Sequence, residues 1–193
     1  MDTADRLIES TRELLWERGY VGTSPKAILQ RSGAGQGSMY HHFSGKADLA
    51  LAAVRRSAEQ MRTTADALLS APGTALERIT AYLRRDRDVL RGCPIGRLTM
   101  DPDIIASPEL RAPLEELFSW LRQRLADVIA EGQSHGELGG HLDPLATAAA
   151  IAATLQGGYV LARAADSPEP FEHAVTGVLA LLTPANRPAT EGD

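Results

Sequence analysis

The segment Thr23 to Lys46 reads TSPKAILQRSGAGQGSMYHHFSGK, and its polar residues are of types that read nucleic acid. Gln36 carries a paired donor and acceptor that match an adenine edge in the major groove. Ser38 and His41 can bond bases or phosphates. Tyr40 brings a hydroxyl at phosphate height and a ring for thymine methyls. Gly37 lets backbone approach backbone closely. Lys46 can hold a phosphate with its ammonium and the N–H groups of a helix that starts there. Met39 and Phe43, four apart, form the apolar stripe that pins such a helix to a core.

Other chemistry fits these residues less well. Gly33-x-Gly35-x-Gly37 lacks the spacing and the preceding strand of a dinucleotide loop. His41 and His42 are adjacent and diverge by about 100° on a helix, so they do not chelate as a pair. His41 is expected to face outward and His42 to be partly packed. His135, His141 and His173 read as solvated surface histidines. No nucleophile with a base, carboxylate pair, metal cluster or cofactor pattern appears at a useful spacing, which argues against an enzyme. Asp101 and Asp103 read as a turn and cap in a proline-bounded loop. Cys93 reads as a small buried hydrophobe, with an oxidation sensor as the sharper alternative.

The formal net charge of −5 argues at first against nucleic acid. Its distribution reverses that. From Arg18 to Ala47 stand Arg18, Lys26, Arg31 and Lys46 with no Asp or Glu. A local basic segment in an acidic chain suits phosphate contact. The single cysteine excludes an intramolecular disulfide and fits a reducing, cytoplasmic setting. With 44% hydrophobic and 23% charged residues, the 193-residue chain can bury a core without staples. The start MDTADRLIE has no signal pattern, and the apolar run Leu145–Leu155 is too short to span a bilayer.

The elements that would position these residues are helices. Leu7, Ile8, Thr11, Leu14 and Leu15 follow a 3.6-residue period up to Gly19. Ser24-Pro25 opens a short second helix ending near Gly33. A third runs from about Gln36 to Phe43, and a fourth from Ser44-Gly45-Lys46 towards Leu69. A fifth is expected over Thr74 to Leu90, then an irregular stretch to Ala106. Ser107-Pro108, Asp143-Pro144 and Ser167-Pro168 open helices reaching about Glu131, Ala165 and Leu182. No strand is predicted. The fold class is all-α: a three-helix head, a connecting fourth helix and a larger helical body, about nine helices in all.

GAGQGSMYHHFSGKADL resembles the signature of the TetR family of repressors, with Leu14-Leu15, Gly19-Tyr20, Thr23-Ser24 and Ile28 at matching spacing upstream. The resemblance covers about Ala4 to Val54. It implies residues 1–47 as a helix-turn-helix DNA-binding domain, the motif itself at about 24–43. It further implies 48–183 as an effector-binding and dimerisation domain, while the polar, proline-containing 184–193 reads as a flexible tail. Gln36, Gly37, Ser38, Tyr40 and His41 match DNA-facing positions, Lys26 a contact on the preceding helix, and Thr23 and Lys46 phosphate contacts. Gly35 departs from the polar N-cap common in the family, and Leu29 from its usual alanine. Pro94-Ile95-Gly96-Arg97-Leu98 resembles a motif of a subgroup linked to antibiotic or flavonoid-type effectors.

The resemblance implies three partners: palindromic double-stranded DNA, a second copy of the chain, and a small apolar or aromatic effector. Met100, Phe118, Trp120, Leu121 and Leu125 are candidates to line an effector pocket, with Gln156 and Tyr159 as orienting polar tips. The last two helices are apolar almost all round. Ile151, Leu155, Val160, Val175, Val178, Leu179 and Leu182 are the candidates for a two-fold four-helix interface. A small helical enzyme and a scaffold without DNA affinity are the alternatives.

Overall fold

The computed structural model describes residues 2–183, within which lie nine α-helices and no strand. The tail expected at 184–193 lies outside the described residues. Caps written in the sequence set most boundaries. Asp2 caps α1 (Thr3–Arg18), Ser24 with Pro25 opens α2 (Pro25–Ser32), and α3 spans Gln36–His42. Gly33 closes α2 in the left-handed region, which a glycine enters without steric cost. The long α4 (Lys46–Leu69) runs from the head into the body.

The fifth helix is shorter than expected. A Thr74–Glu77 capping box starts α5 at Ala75, but it ends at Arg84. Beyond it Arg85 is extended, and the Arg87 guanidinium donates to the carbonyls of Tyr82 at 2.5 Å and Arg85 at 3.3 Å. A cation that satisfies the last carbonyls stops the helix there. The stretch expected to be irregular contains a 3-10 turn at Gly96–Met100 and a short α6 (Pro102–Ala106). Ser107 and Asp143 cap α7 (Pro108–Ser134) and α8 (Pro144–Ala165), and α9 spans Glu169–Leu182.

Three apolar clusters divide the interior. Leu7, Leu14, Ile28, Met39 and Leu49 hold the head together. Leu15, Val54, Ile95, Leu98, Ile104 and Leu114 join α1 and α4 to the loop before α7. The largest gathers the end of α4 with α5, α7, α8 and α9, and Trp120 and Tyr159 bridge the latter two clusters.

One reading of the last helices is corrected here. Ile151, Leu155, Val175, Val178, Leu179 and Leu182 are buried in the chain's own core, not presented outward. Their helical spacing was that of the inward face. Of the proposed interface set Val160 alone is outward, at 68% exposure. The run Leu145–Leu155 is too short to cross a membrane, as expected, while α8 as a whole is long and apolar enough by length and composition. Its apolar character has a structural use on one side, where Ala148, Ile151, Leu155 and Ala162 pack into the body.

Candidate nucleic-acid interface and effector cleft

The head is built so that α3 shows a polar face. Met39 is fully buried and Phe43 half-buried, which fixes the rotation of the helix on the core. Gln36, Gly37, Tyr40 and His41 are then exposed, and Ser38 lies at the margin. Tyr40 is 53% exposed, a large ring held in water. His42 is also exposed, against the expectation that it packs. A helix of seven residues has only one inward face, and Met39 fills it. A Cβ at Gly35 or Gly37 would meet nothing within 4 Å, so the fold itself does not require glycine at either position. Gly35 is the N-cap of α3 and supplies no side-chain bond.

Two expected phosphate contacts look different in three dimensions. Thr23 is 1% exposed, and its hydroxyl donates to the Gly19 carbonyl at 2.7 Å. It is a structural cap, and its hydroxyl is not offered to a ligand. Lys46 Nζ lies 3.9 Å from the centroid of the Tyr20 ring. Burial there lowers the ammonium pKa from its ordinary value, while Asp103 and Asp101 pull it back up. Beside it, Asp48 accepts from the Ser44 N–H at 2.9 Å and from the Ser44 hydroxyl at 3.2 Å. The α4 N-terminus keeps its uncapped backbone donors, but Lys46 must leave Tyr20 to help them.

The acid-free window is also less isolated in space than along the chain. Arg31 pairs with Glu17 at 2.8 Å, and that hydrogen bond is the main cause of the lowered Glu17 pKa. Lys26 and Arg18 are exposed and have no ion-pair partner among the described residues.

In the body, a cleft of about 890 Å³ opens between the 3-10 turn, α7 and α8. Met100, Phe118, Gln156 and Tyr159 line it. Trp120 and Leu121 border a smaller space of about 20 Å³ that shares Phe118, Gln156 and Tyr159 with the cleft, and Trp120 stacks under Arg62. Leu125 is fully buried and lines none of these spaces, so it is core. Tyr159 accepts from Arg87 at 3.2 Å and packs on Phe171. Cys93 is buried, and its Sγ accepts the Gly96 N–H at 3.2 Å.

Sequence reasoning missed the arginines of the cleft. Arg97, Arg122 and Arg163 line it beside the named residues. Spacing held the signal. Phe118 and Arg122 are four apart, and Gln156, Val160 and Arg163 share one face of α8. It also missed the second duty of Asp101. Besides capping α6 through Oδ1, it accepts the backbone N–H of Tyr20 at 2.7 Å and of Val21 at 3.0 Å through Oδ2. Gly19 makes room, because a Cβ there would stand 2.9 Å from that oxygen.

Known proteins share both halves of this arrangement. Residues 7–53 match the model of the bacterial regulatory proteins of the tetR family, and residues 73–178 the tetracyclin repressor-like C-terminal domain. The chain belongs to the TetR family. It is a helix-turn-helix transcriptional regulator. The regulator AcuR of Cereibacter sphaeroides is 29% identical over 88% of this chain and 80% of its own length. The repressor NemR of Escherichia coli is 25% identical over 95% of this chain and 96% of its own length. A TetR regulator from Chloroflexus aurantiacus superposes with a TM-score of 0.82 at 28% identity, covering 92% of each chain. CifR, solved on a 26-bp operator duplex, has a TM-score of 0.78 at 22% identity, covers 92% of this chain and 95% of its own, and speaks to the fold alone.

Proposed function

We propose that this TetR-family chain is a homodimeric repressor that grips a palindromic operator with two copies of α3 and lets go when a small molecule fills the cleft. The observation that carries this is the outward face of α3. Gln36, Gly37, Tyr40 and His41 are exposed on a helix pinned from beneath by Met39. A tyrosine this exposed gains nothing for the fold, and the two glycines are not demanded by packing, so a partner surface accounts for both. In a dimer the two helices would enter successive major grooves about 34–36 Å apart. Lys26 and, once it swings from Tyr20, Lys46 would add phosphate contacts.

The dimer surface in this reading is the side of α8 and α9 that faces away from the core. Leu145, Val160, Leu161 and Leu181 are exposed there. Gly157 and Gly177 have open space where a Cβ would be, which suits close helix approach. Ala153, Gly157 and Val160 also line the cleft, so occupancy of the cleft and the geometry of the pair are tied. An effector acts by binding the released arrangement more tightly than the DNA-bound one.

The test is a gel shift with duplex DNA from beside the chain's own gene. Tyr40→Ala is expected to abolish the shift while size-exclusion elution stays unchanged. An unaltered shift would sink the assignment of α3.

A further inference from the structure

The charges around the cleft do not balance. Arg18, Arg91, Arg97, Arg122 and Arg163 line it, and Asp101 is the one acid among its lining residues. Asp101 is fully engaged, since its oxygens accept the N–H groups of Tyr20, Val21, Asp103 and Ile104. Arg91 is also committed. It pairs with Glu13 at 2.6 Å and lies 3.6 Å above the centre of the Trp16 ring.

Arg97 and Arg163 differ. Neither side chain has a hydrogen-bond or ion-pair partner among the described residues. Arg97 is half-buried, and burial together with the nearby Arg163 cation lowers its pKa from the usual arginine value. Both guanidinium groups line the same cleft, where an anion would offset the repulsion between them. The same cleft is lined by the apolar side chains of Phe118, Met100, Ala149 and Ala152.

We propose that the effector is an amphipathic carboxylate, its apolar body lying on Phe118 and the alanine face of α8 and its head between Arg97 and Arg163. Guanidinium matches carboxylate in a bidentate, charge-assisted pair, and the apolar side chains that share the cleft suit an apolar body. This refines the expectation of an effector that is merely apolar or aromatic. Gln156 also lines the cleft, its Oε1 close to Gly96, and offers the ligand a polar tip. The inference rests on the reading of the cleft as the effector site.

Calorimetric titration of the full chain with octanoate and 4-phenylbutyrate, each against its primary amide, tests it. The acids are expected to bind at least about tenfold more tightly than the amides. Arg97→Gln and Arg163→Gln should each erase most of that preference, and Arg97→Lys should keep part of it. Arg163 is exposed, so its variant is informative even if Arg97→Gln unfolds. Equal affinity for acid and amide, no binding of either acid, or an unchanged preference in Arg163→Gln overturns the carboxylate assignment. A gel shift on the same samples separates the two readings. Intact DNA binding with a failed titration removes the carboxylate alone. Loss of DNA binding by the unaltered chain removes the repressor reading.

Discussion

Oδ2 of Asp101 accepts the backbone N–H of Tyr20 at 2.7 Å, so one carboxylate in the body holds the turn that leads into the helix-turn-helix. Its other oxygen caps α6, and the residue itself lines the cleft. The residue that follows the 3-10 turn is therefore in direct contact with the chain that leads to α2.

Asp101→Asn puts an amide where four N–H groups converge. Its N–H₂ cannot accept, so donors on one side are left unpaired, a loss of about 2 kcal/mol. Urea unfolding should show that drop. Amide exchange at Tyr20 and Val21 should quicken more than in the α3 backbone. Gly19→Ala should do similar damage, since its φ of 74° and its 2.9 Å approach to Asp101 both oppose a side chain.

The lysine that opens α4 makes a separate prediction. Lys46 rests on Tyr20, and a phosphate contact would require it to leave the ring. Lys46→Ala is expected to weaken operator binding about equally across sequences and to reduce the slope of log K against log salt by about one. Tyr20→Leu releases the ammonium without removing it, so operator affinity should hold or rise. Fluorescence anisotropy over a salt series measures both. A slope unchanged by Lys46→Ala would exclude this lysine from the contact.

How much of this was legible in the sequence depended on whether the relevant neighbours are local. Caps such as Ser24, Ser107 and Asp143 act within three residues, and each opened the helix expected of it. The α3 register was legible because Met39 and Phe43 mark one face. What failed was long-range. Thr23 is spent on Gly19 and Lys46 on Tyr20, and nothing in residue type alone tells a contact with DNA from a contact with the head. Ile151 and Leu155 carried the right periodicity, but a period gives a face and not the surface it packs against. The same ambiguity hid Asp101, whose partners lie some eighty positions upstream.

The α1–α4 joint should respond to acid. Glu9 is partly desolvated, which raises its pKa, but hydrogen bonds and charge from Arg12 and Arg56 outweigh that and leave it lowered. A carboxylate whose folded pKa lies below its unfolded value contributes stability above the unfolded value and loses it as pH falls through the folded one. The ordinary value is 4.5, so the loss falls below that pH. The groups are partly solvent-exposed, and the effect is about 0.5 kcal/mol or less after screening. Glu9→Gln should be less stable than the parent at neutral pH and converge with it as the pH falls below the ordinary carboxylate value. Parallel stability curves would show that the pair contributes nothing.

The outward side of α8 and α9 supplies the last prediction. Val160 is 68% exposed and Leu181 81% exposed, with no neighbour to cover them within the chain. If a second copy covers them, a charge there enters the pair twice across a two-fold axis and is desolvated both times. Val160→Glu with Leu181→Glu is expected to yield monomers in sedimentation velocity while leaving the melting of the isolated subunit within about 0.5 kcal/mol, since neither side chain is in the core. Operator affinity should fall steeply, because one head makes half the contacts and loses the coupling between half-sites. Ile151→Ala is the contrast. It hollows the chain's own core and should cost about 2–5 kcal/mol of stability without a specific loss of pairing. A double glutamate variant that stays dimeric would move the interface elsewhere.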